Sequence, residues 1–299
     1  MPAFHPLPQL PPRPPAAHKG DCGRVLVVAG SAGMAGAAAL TATAALRSGC
    51  GYVEIVCPSI LLPALTEAVP AAMVQTCGTA DRKQLGLEDV GIILEAAARA
   101  NAVVIGPGLG APHGEPWVPR LLQELQGAYP ALPVLLDADG LNHLAAARVN
   151  LNICGANLIL TPHPGEAARL LHWQAAAMVQ ADRVATITAL TAASAAVVLL
   201  KGAGTLVQQM GQPCWQNHSG NAGMATAGSG DVLSGHIGAL LASGLPVYDA
   251  ARLGAYLHGR AGDLYAAVWG MDGLTATDLA QWLSKAMQEW RTHPNEVQA

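Results

Sequence analysis

Short, continuous apolar runs alternate with longer helix-compatible stretches along most of this chain. The clearest runs are RVLVVAG (24–30), YVEIVCP (52–58), AVVIG (102–106) and VVLLK (197–201), each with two or more valines. Continuous runs of this length are typical of strands that are buried on both faces of a sheet. The pattern therefore predicts an α/β fold with a doubly wound, mostly parallel sheet flanked by helices.

The weaker segments continue the same alternation. They predict strands at 73–77, 133–137 and 157–161, and a hairpin over 205–217 that turns at 210–213. Helices are predicted over 37–49, 59–69, 87–100, 115–129, 175–195, 247–268 and 275–290, and another is predicted to begin near 228–232.

Length and composition indicate one domain and exclude several classes of partner. The 299 residues are read as a Pro-rich lead-in (1–20), a single domain (21–290) and a short tail (291–299). A formal net charge of −4 argues against nucleic acid and anionic membranes as partners. Scattered cysteines, histidines without metal-ligand spacing, and no signal-peptide pattern or apolar run of about 20 residues predict a soluble cytoplasmic protein.

The candidate chemistry centres on GNAGMATAGSGDVLSG (220–235), a glycine-rich loop that leads into an apolar helix. Gly228, Ser229 and Gly230 fall where that helix begins, and the free amides and dipole of a helix start can bind an anion. Asp231 lies at the same place, either as an ordinary helix cap or as a base beside a bound phosphate. A flexible loop before a capped core helix is the alternative that requires no function.

Other special residues follow the carboxyl ends of predicted strands. They lie at 30–31, 106–110, 137–139, 161–166 and 201–205. Ligands of open α/β sheets bind in the crevice beyond those strand ends, although each loop alone could be only a turn or a cap. Lys201 either reaches from the sheet edge to solvent or binds a phosphate. Its loop matches neither the Walker A nor the Rossmann spacing.

Six motifs in this order resemble the ADP-dependent NAD(P)H-hydrate dehydratases, a family with a ribokinase-like fold. The similarity extends from about residue 12 to about residue 285 and implies a dehydratase domain without the epimerase domain that often precedes it. The Gly-Ser-Gly-Asp segment alone indicates only the wider ribokinase-like superfamily. The motifs are HKGDCGRVLVVAGSAGMAGAAAL (18–40), GPGLG (106–110), LLDADGLN (135–142), LTPHPGE (160–166), LKGAGT (200–205) and GNAGMATAGSGDVLSG (220–235).

The resemblance implies metabolite repair. The S-epimer of NADHX or NADPHX, a hydrated nicotinamide ring, would be returned to NADH or NADPH while ADP becomes AMP and phosphate. Hydroxide is a poor leaving group, because the pKa of water is about 15.7. Phosphorylation of the ring hydroxyl creates a better leaving group, which the lone pair of the ring nitrogen can then expel.

The resemblance also implies residue roles. Asp231 would be the general base, and the amides of Ala227–Gly230 would hold the terminal phosphate of ADP. Glu166 would orient water or Mg²⁺, which is expected mainly with the nucleotide, and Met34 stands where many members have Tyr. The hydrate would contact Ala37, Gly108, Gly110, His163 and Asp231. The ADP site would comprise Lys201, Gly202, Ala203, Gly204, Thr205, Asn221, Ala222, Gly223, Met224, Ala225, Thr226, Ala227, Gly228, Ser229 and Gly230.

Two rival functions remain open. One is a kinase of the same fold that phosphorylates a vitamin precursor or a sugar; many such kinases have Asn-x-x-Glu where this chain has His163-Pro-Gly-Glu166. The other is a non-catalytic nucleotide-binding protein, against which the presence of Asp231 argues. A homo-oligomer, possible as a tetramer, is also expected.

Overall fold

Nine strands lie in one sheet in the computed structural model, which describes residues 6–153 and 155–293. Their bounds fall within two residues of the apolar runs in the sequence. The strands are β1 Arg24–Val28, β2 Tyr52–Pro58, β3 Met73–Cys77, β4 Ala102–Ile105, β5 Val134–Leu136, β6 Leu158–Leu160, β7 Val197–Leu200, β8 Leu206–Gln208 and β9 Trp215–Gln216.

The sheet order is β3-β2-β1-β4-β5-β6-β7-β8-β9. The pairs from β3 through β7 are all parallel, and β7, β8 and β9 pair antiparallel. The predicted parallel sheet and the predicted hairpin are thus confirmed. Because the chain winds outward in both directions from β1 and β4, the loops after these strands open into one crevice at the carboxyl edge.

Two layers of helices cover the sheet. Helices α1 and α9–α11 lie on one face, and α3–α6 with α8 lie on the other. The helices are α1 Ala35–Arg47, α2 Leu62–Ala68, α3 Val90–Ala97, α4 Trp117–Ala128, α5 Asp139–Ala147, α6 Pro164–Leu170, α7 Ala176–Ala181, α8 Arg183–Ser194, α9 Ser229–Ala242, α10 Val247–Trp269 and α11 Ala276–Thr292.

Helix α9 packs closely against α1 and β4 because two of its three glycines, Gly235 and Gly238, lie at these contacts. A Cβ atom on Gly235 would lie 2.0 Å from the carbonyl oxygen of Thr41 in α1, and one on Gly238 would lie 2.6 Å from Val104 in β4. Such close backbone approach is possible only with glycine. The packing fixes the start of α9 at the carboxyl edge of the sheet.

Two helix predictions need correction. The helix predicted over 175–195 is broken into α7 and α8, since the Asp182 carboxylate accepts a 2.8 Å hydrogen bond from the amide of Ala185 and caps a new helix. Helix α5, which begins at Asp139 just after β5, was not among the predicted helices; a turn with a cap was only one alternative for this segment.

The Pro-rich lead-in packs more closely than its composition suggests. Leu7 and Leu10 are buried, and the Pro8 carbonyl accepts a 3.1 Å hydrogen bond from the indole of Trp290 in α11. Residues 1–5 and 294–299 of the predicted end segments lie outside the described residues. Across the described residues, no helix combines the length and the apolarity that a membrane crossing requires.

Candidate functional site

A buried carboxylate joins three parts of the carboxyl edge. Asp137 follows β5 and is 1% exposed. One of its oxygens accepts a 2.6 Å hydrogen bond from the ammonium of Lys201, which follows β7. The other accepts a 2.7 Å hydrogen bond from the hydroxyl of Ser234 in α9. A charge removed from water needs such partners, so these contacts fix Lys201 relative to α9.

His163 and Glu166 form the start of α6, and Glu166 lies near Lys201. The His163 ring nitrogen Nδ1 accepts hydrogen bonds from the amides of Gly165 (3.0 Å) and Glu166 (3.3 Å). Oε2 of Glu166 accepts one from the amide of His163 (2.8 Å) and lies 3.8 Å from the ammonium of Lys201. This reciprocal capping confirms the predicted helix start and places a second carboxylate beside Lys201.

The start of α9 is open apart from the Ser229 amide, which donates a 3.4 Å hydrogen bond to the carbonyl oxygen of Thr226. Gly228 is its N-cap, with a φ of 86° and no side-chain cap. A Cβ on Gly228 would lie 2.5 Å from Leu40, and one on Gly230 would lie 3.4 Å from the Lys201 ammonium. First-turn amides have no intrahelical acceptor, and the helix dipole favours negative charge there. With Lys201 adjacent, this is an anion-binding arrangement.

Asp231, the third residue of α9, has a raised pKa. Burial, followed by the charge of Asp137, raises its pKa to about 7, while Lys201 opposes the rise and Asp139 and Glu166 add to it. No other described residue donates a hydrogen bond to the Asp231 carboxylate, whereas Asp137 is fully engaged. Asp231 is therefore free to exchange a proton near neutral pH.

Lys201 remains a cation despite its burial. Burial alone would lower its pKa, but the charges of Asp137 and Glu166 and the hydrogen bond to Asp137 outweigh burial, so that the pKa is raised. The site thus holds a fixed positive charge next to the open amides of α9. This is the charge that a bound phosphate requires.

The glycine loop after β4 closes another side of the crevice. A Cβ on Gly108 would lie 2.9 Å from that of Ala37 and 3.0 Å from that of Met34, so the loop touches the start of α1. The amide of Gly110 donates a 2.9 Å hydrogen bond to the carboxylate of Asp139. The structure therefore brings Ala37 and Gly108 together, and links Gly110 to a carboxylate that acts on Asp231.

The loop after β7 is held by a residue that the sequence analysis missed. Arg183, the first residue of α8, donates to the carbonyl oxygens of Leu200 (3.1 Å) and Ala203. The hydroxyl of Thr205 closes the loop with a 2.9 Å hydrogen bond to the carbonyl oxygen of Gly202. The sequence offered no signal for Arg183, because one continuous helix was predicted over 175–195.

The segment 221–227 leads from the hairpin to α9. Asn221 caps a short turn, and its amide group donates a 2.9 Å hydrogen bond to Asp263 in α10. A Cβ on Gly223 would lie 2.5 Å from the carbonyl oxygen of Met271, so the turn is seated against the end of α10. Residues 221–227 have no ionisable side chain, so this segment forms no ion pair with Lys201 or Asp231.

Comparison with known proteins identifies the family of this chain. The family model described as NAD(P)H-hydrate dehydratase matches residues 25–285. The chain belongs to the NAD(P)H-hydrate dehydratase family. It is 44% identical over 273 residues to an ADP-dependent (S)-NAD(P)H-hydrate dehydratase of Neisseria meningitidis, which covers 89% of this chain and 86% of that protein.

Other members of the NAD(P)H-hydrate dehydratase family are longer. A bifunctional NAD(P)H-hydrate repair enzyme of Escherichia coli is 40% identical over 286 residues, or 96% of this chain and 52% of that enzyme. The chain thus spans about half the length of the bifunctional curated relatives that it matches.

Solved structures agree with the family. An ADP/ATP-dependent NAD(P)H-hydrate dehydratase of Bacillus subtilis, co-crystallised with ATP and Mg²⁺, has a TM-score of 0.75 at 28% identity, with 94% of this chain and 95% of that chain covered. A ribokinase-like superfamily protein of Enterococcus faecalis has a TM-score of 0.78 at 25% identity, with coverage of 94% and 92%. The predicted ribokinase-like fold is confirmed.

In this NAD(P)H-hydrate dehydratase family member, two residues of the site had no role predicted from the sequence. Asp137 lies in a motif that the sequence analysis noted, but it had no assigned role; Ser234 stands three residues after Asp231 on the same helix. Their connection depends on β5 lying close to α9, which only the folded chain reveals.

Proposed function

We propose that this protein is a lyase that dehydrates the S-epimer of NADHX or NADPHX at the expense of ADP. The single observation that carries the proposal is Asp231, a carboxyl group with a pKa near 7 at an open helix start beside Lys201. The family and the 44% identical Neisseria dehydratase supply the substrate class.

The proposed reaction proceeds in two balanced steps. Asp231 takes the proton of the ring hydroxyl as the hydroxyl oxygen bonds to the terminal phosphorus of ADP, and the bond to the bridging oxygen breaks to release AMP. The lone pair of the ring nitrogen then expels phosphate. Loss of a proton from the neighbouring ring carbon restores the double bond, so the net change is removal of water and hydrolysis of ADP.

The described side chains divide the work of the first step. The open amides of α9 and the ammonium of Lys201 stabilise the negative charge on the transferred phosphate. Asp137 accepts a hydrogen bond from that ammonium and so fixes its position, and Ser234 in turn donates a hydrogen bond to Asp137. The glycine loop at 106–110 and Ala37 form the wall against which the hydrate would lie, and His163 lies at the neighbouring start of α6.

Magnesium fits this site as a companion of the nucleotide. Among the described residues, no group of three His, Cys, Asp or Glu side chains is placed to hold a metal ion. Magnesium commonly binds through substrate phosphates with only one or two carboxylates, and the Bacillus relative was crystallised with ATP and Mg²⁺. Of the carboxylates present, Glu166 is the one that we propose for this contact, and the ion would neutralise phosphate charge.

A ribokinase-like kinase is the second candidate, because the fold is shared. A hydroxyethylthiazole kinase of Pyrococcus horikoshii has a TM-score of 0.54 at 17% identity, which indicates the fold alone. The Neisseria dehydratase is 44% identical to this chain and the Pyrococcus kinase only 17%, which favours the dehydratase function. Product analysis separates the two: a kinase leaves a lasting phosphorylated alcohol, whereas the dehydratase restores the absorbance of reduced nicotinamide.

The deciding experiment replaces the proposed base. Asp231→Asn is expected to lower kcat by about 10²–10⁴-fold while ADP still binds, because a general base contributes about that much. The matched control is Asp278→Asn, which changes the third residue of α11, also an N-terminal helical Asp. The assigned role would be refuted if Asp231→Asn kept most of its activity, or if the control Asp278→Asn lost most of its activity.

We also propose that the chain forms a homo-oligomer. The end of α10 exposes adjacent large apolar side chains, with Val268 59%, Trp269 70% and Met271 51% exposed. Exposed apolar clusters are common at protein interfaces. Light scattering coupled to size-exclusion chromatography is expected to give a multiple of 30.5 kDa, and Trp269→Ser is expected to reduce it. A monomeric wild-type protein would contradict this proposal.

A further inference from the structure

The docked lead-in leaves a cavity at the far end of α9. The cavity has a volume of about 360 Å³ and lies between residues 10–14 and the carboxyl-terminal ends of α1, α9 and α11. A rise of 1.5 Å per residue makes the 14-residue helix α9 about 20 Å long. The cavity, which meets α9 at residues 239–243, is therefore separate from the candidate active site at residues 229–231.

Three guanidinium groups from three different segments line this cavity. Arg13 belongs to the lead-in, Arg47 ends α1 and Arg291 lies in the last turn of α11. No carboxylate of the described residues forms an ion pair with any of them. Among the described residues that line the cavity, the one acidic residue is Asp21, whose carboxylate accepts a 3.0 Å hydrogen bond from the amide of His18.

Two of these three exposed arginines are positioned by backbone contacts that leave most of their donors available. Arg13 donates a 2.7 Å hydrogen bond to the carbonyl oxygen of Gly49, and Arg291 donates a 2.8 Å hydrogen bond to that of Pro11. A guanidinium carries five N–H donors, so each retains several. Burial and then the charge of Arg13 lower the pKa of Arg291, so the two cations lie close enough to repel each other.

Helix dipoles account for only part of this cluster. A cation at the carboxyl-terminal end of a helix is stabilised by the dipole, and this explains Arg47 and Arg291 singly. It does not explain why the lead-in adds Arg13 to the same cavity, where none of the residues in 6–153 and 155–293 gives it an acidic partner. Like charges brought together favour a bound anion that would neutralise them.

We propose that this cavity binds a small polyanion, a molecule with at least two phosphate or carboxylate groups. Forked N–H donors of arginine match the paired oxygens of both groups, and the cavity volume lies within the usual range for small-molecule sites. The site is independent of the proposed dehydratase reaction, since it lies at the other end of α9.

Hydrogen exchange and calorimetry on the full-length protein test the proposal. With ADP at saturation, inorganic pyrophosphate is expected to slow exchange in peptides over 10–17 and 284–293. Citrate, tested in parallel, distinguishes a carboxylate ligand from a phosphate ligand, and protection by either supports the polyanion site. Protection confined to residues 226–234, or none with either probe, would overturn it.

Arginine variants supply the second measurement. The double variant Arg47→Gln with Arg291→Gln is expected to weaken binding of the effective probe at least tenfold and to keep the wild-type kcat/KM for the hydrate. The control is Arg120→Gln, an exposed arginine of α4 that pairs with Glu124 and lies outside the cavity lining. Equal affinity of the double variant and the wild type would contradict the site, whatever the activity.

Discussion

The protonation of Asp231 makes a sharp prediction about pH. With a pKa of about 7, only about a tenth of the carboxyl groups are ionised at pH 6 and about nine tenths at pH 8. A base with the ordinary Asp value of 3.8 would be almost fully ionised at both. We therefore expect kcat/KM to rise about tenfold from pH 6 to pH 8, because this parameter reports the ionisation of the unliganded enzyme.

The charge of Asp137 provides the perturbation that tests the cause. Asp137 is the charged neighbour that contributes most to the raised pKa of Asp231. Asp137→Asn removes this charge, so the midpoint of the pH profile should move below 7. Ser234→Ala removes only the 2.7 Å hydrogen bond to Asp137 and keeps the charge, so its midpoint should stay near that of the wild type.

The assay follows reduced-nicotinamide absorbance with chemically prepared hydrate and ADP between pH 6 and 8.5. Phosphate groups of the nucleotide titrate near pH 6 as well, but they do so equally for every variant. The difference in midpoint between Asp137→Asn and the wild type therefore reports the ionisation of the protein and not that of the nucleotide. A flat wild-type profile, or the same midpoint in both enzymes, would refute the assignment of Asp231 as a base with a raised pKa.

Three further outcomes concern stability and can be measured by urea unfolding. Since the folded pKa of Asp231 is raised from 3.8 to about 7, this group favours folding below pH 3.8 and loses that contribution as the pH rises through 7. Asp231→Asn should thus raise the free energy of unfolding by about 4 kcal/mol at pH 8, since each unit of pKa shift corresponds to about 1.36 kcal/mol, and leave it nearly unchanged at pH 4; equal changes at both would contradict this. Gly228→Ala should destabilise the protein and weaken ADP binding, because it forces a side chain onto Leu40 at positive φ. The control is Gly127→Ala in helix α4, where the added Cβ meets no atom within 4 Å; it should stabilise the protein by about 0.5–1 kcal/mol. A Gly228→Ala variant as stable as the wild type would be inconsistent with the tight packing at the start of α9. Lys201→Met should cost about 3–5 kcal/mol because it leaves the buried Asp137 charge unpaired, and combination with Asp137→Asn should recover much of that loss; additive effects would exclude the coupling.

The sheet could be predicted because its signal is local. A strand buried on both faces is mostly apolar, so β1, β4 and β7 appear directly as continuous runs. β2 has one exception, because the buried Glu54 in its middle pairs with Arg24 and Arg99. The break between α7 and α8 was missed for the opposite reason. Ala, Met and Val continue a helical composition on both sides of Asp182, and only its capping hydrogen bond to Ala185 ends one helix and begins the next.

The candidate site could be predicted in outline but not in its contacts. Parallel strands place the loops after β4 to β7 at one edge, so the clustering of their polar residues follows from the alternation alone. The contact between Asp137 and Lys201 crosses 64 residues, and that between Asp137 and Ser234 crosses 97. Both depend on the order of the strands and on the depth of α9, which the sequence pattern does not encode.

Capping and anion binding at helix starts depend on the same unpaired amides, and the N-cap residue decides between them. At α6 the His163 ring accepts hydrogen bonds from two of these amides, and at α11 the Thr275 hydroxyl accepts one. At α9 the N-cap is Gly228, which has no side chain to offer, so the amides of Gly230 and Asp231 stay open beside Lys201. The glycine that makes 228–231 look like a flexible loop is therefore what leaves this helix start free for a phosphate, while Asp231 within the same turn stays free to take a proton.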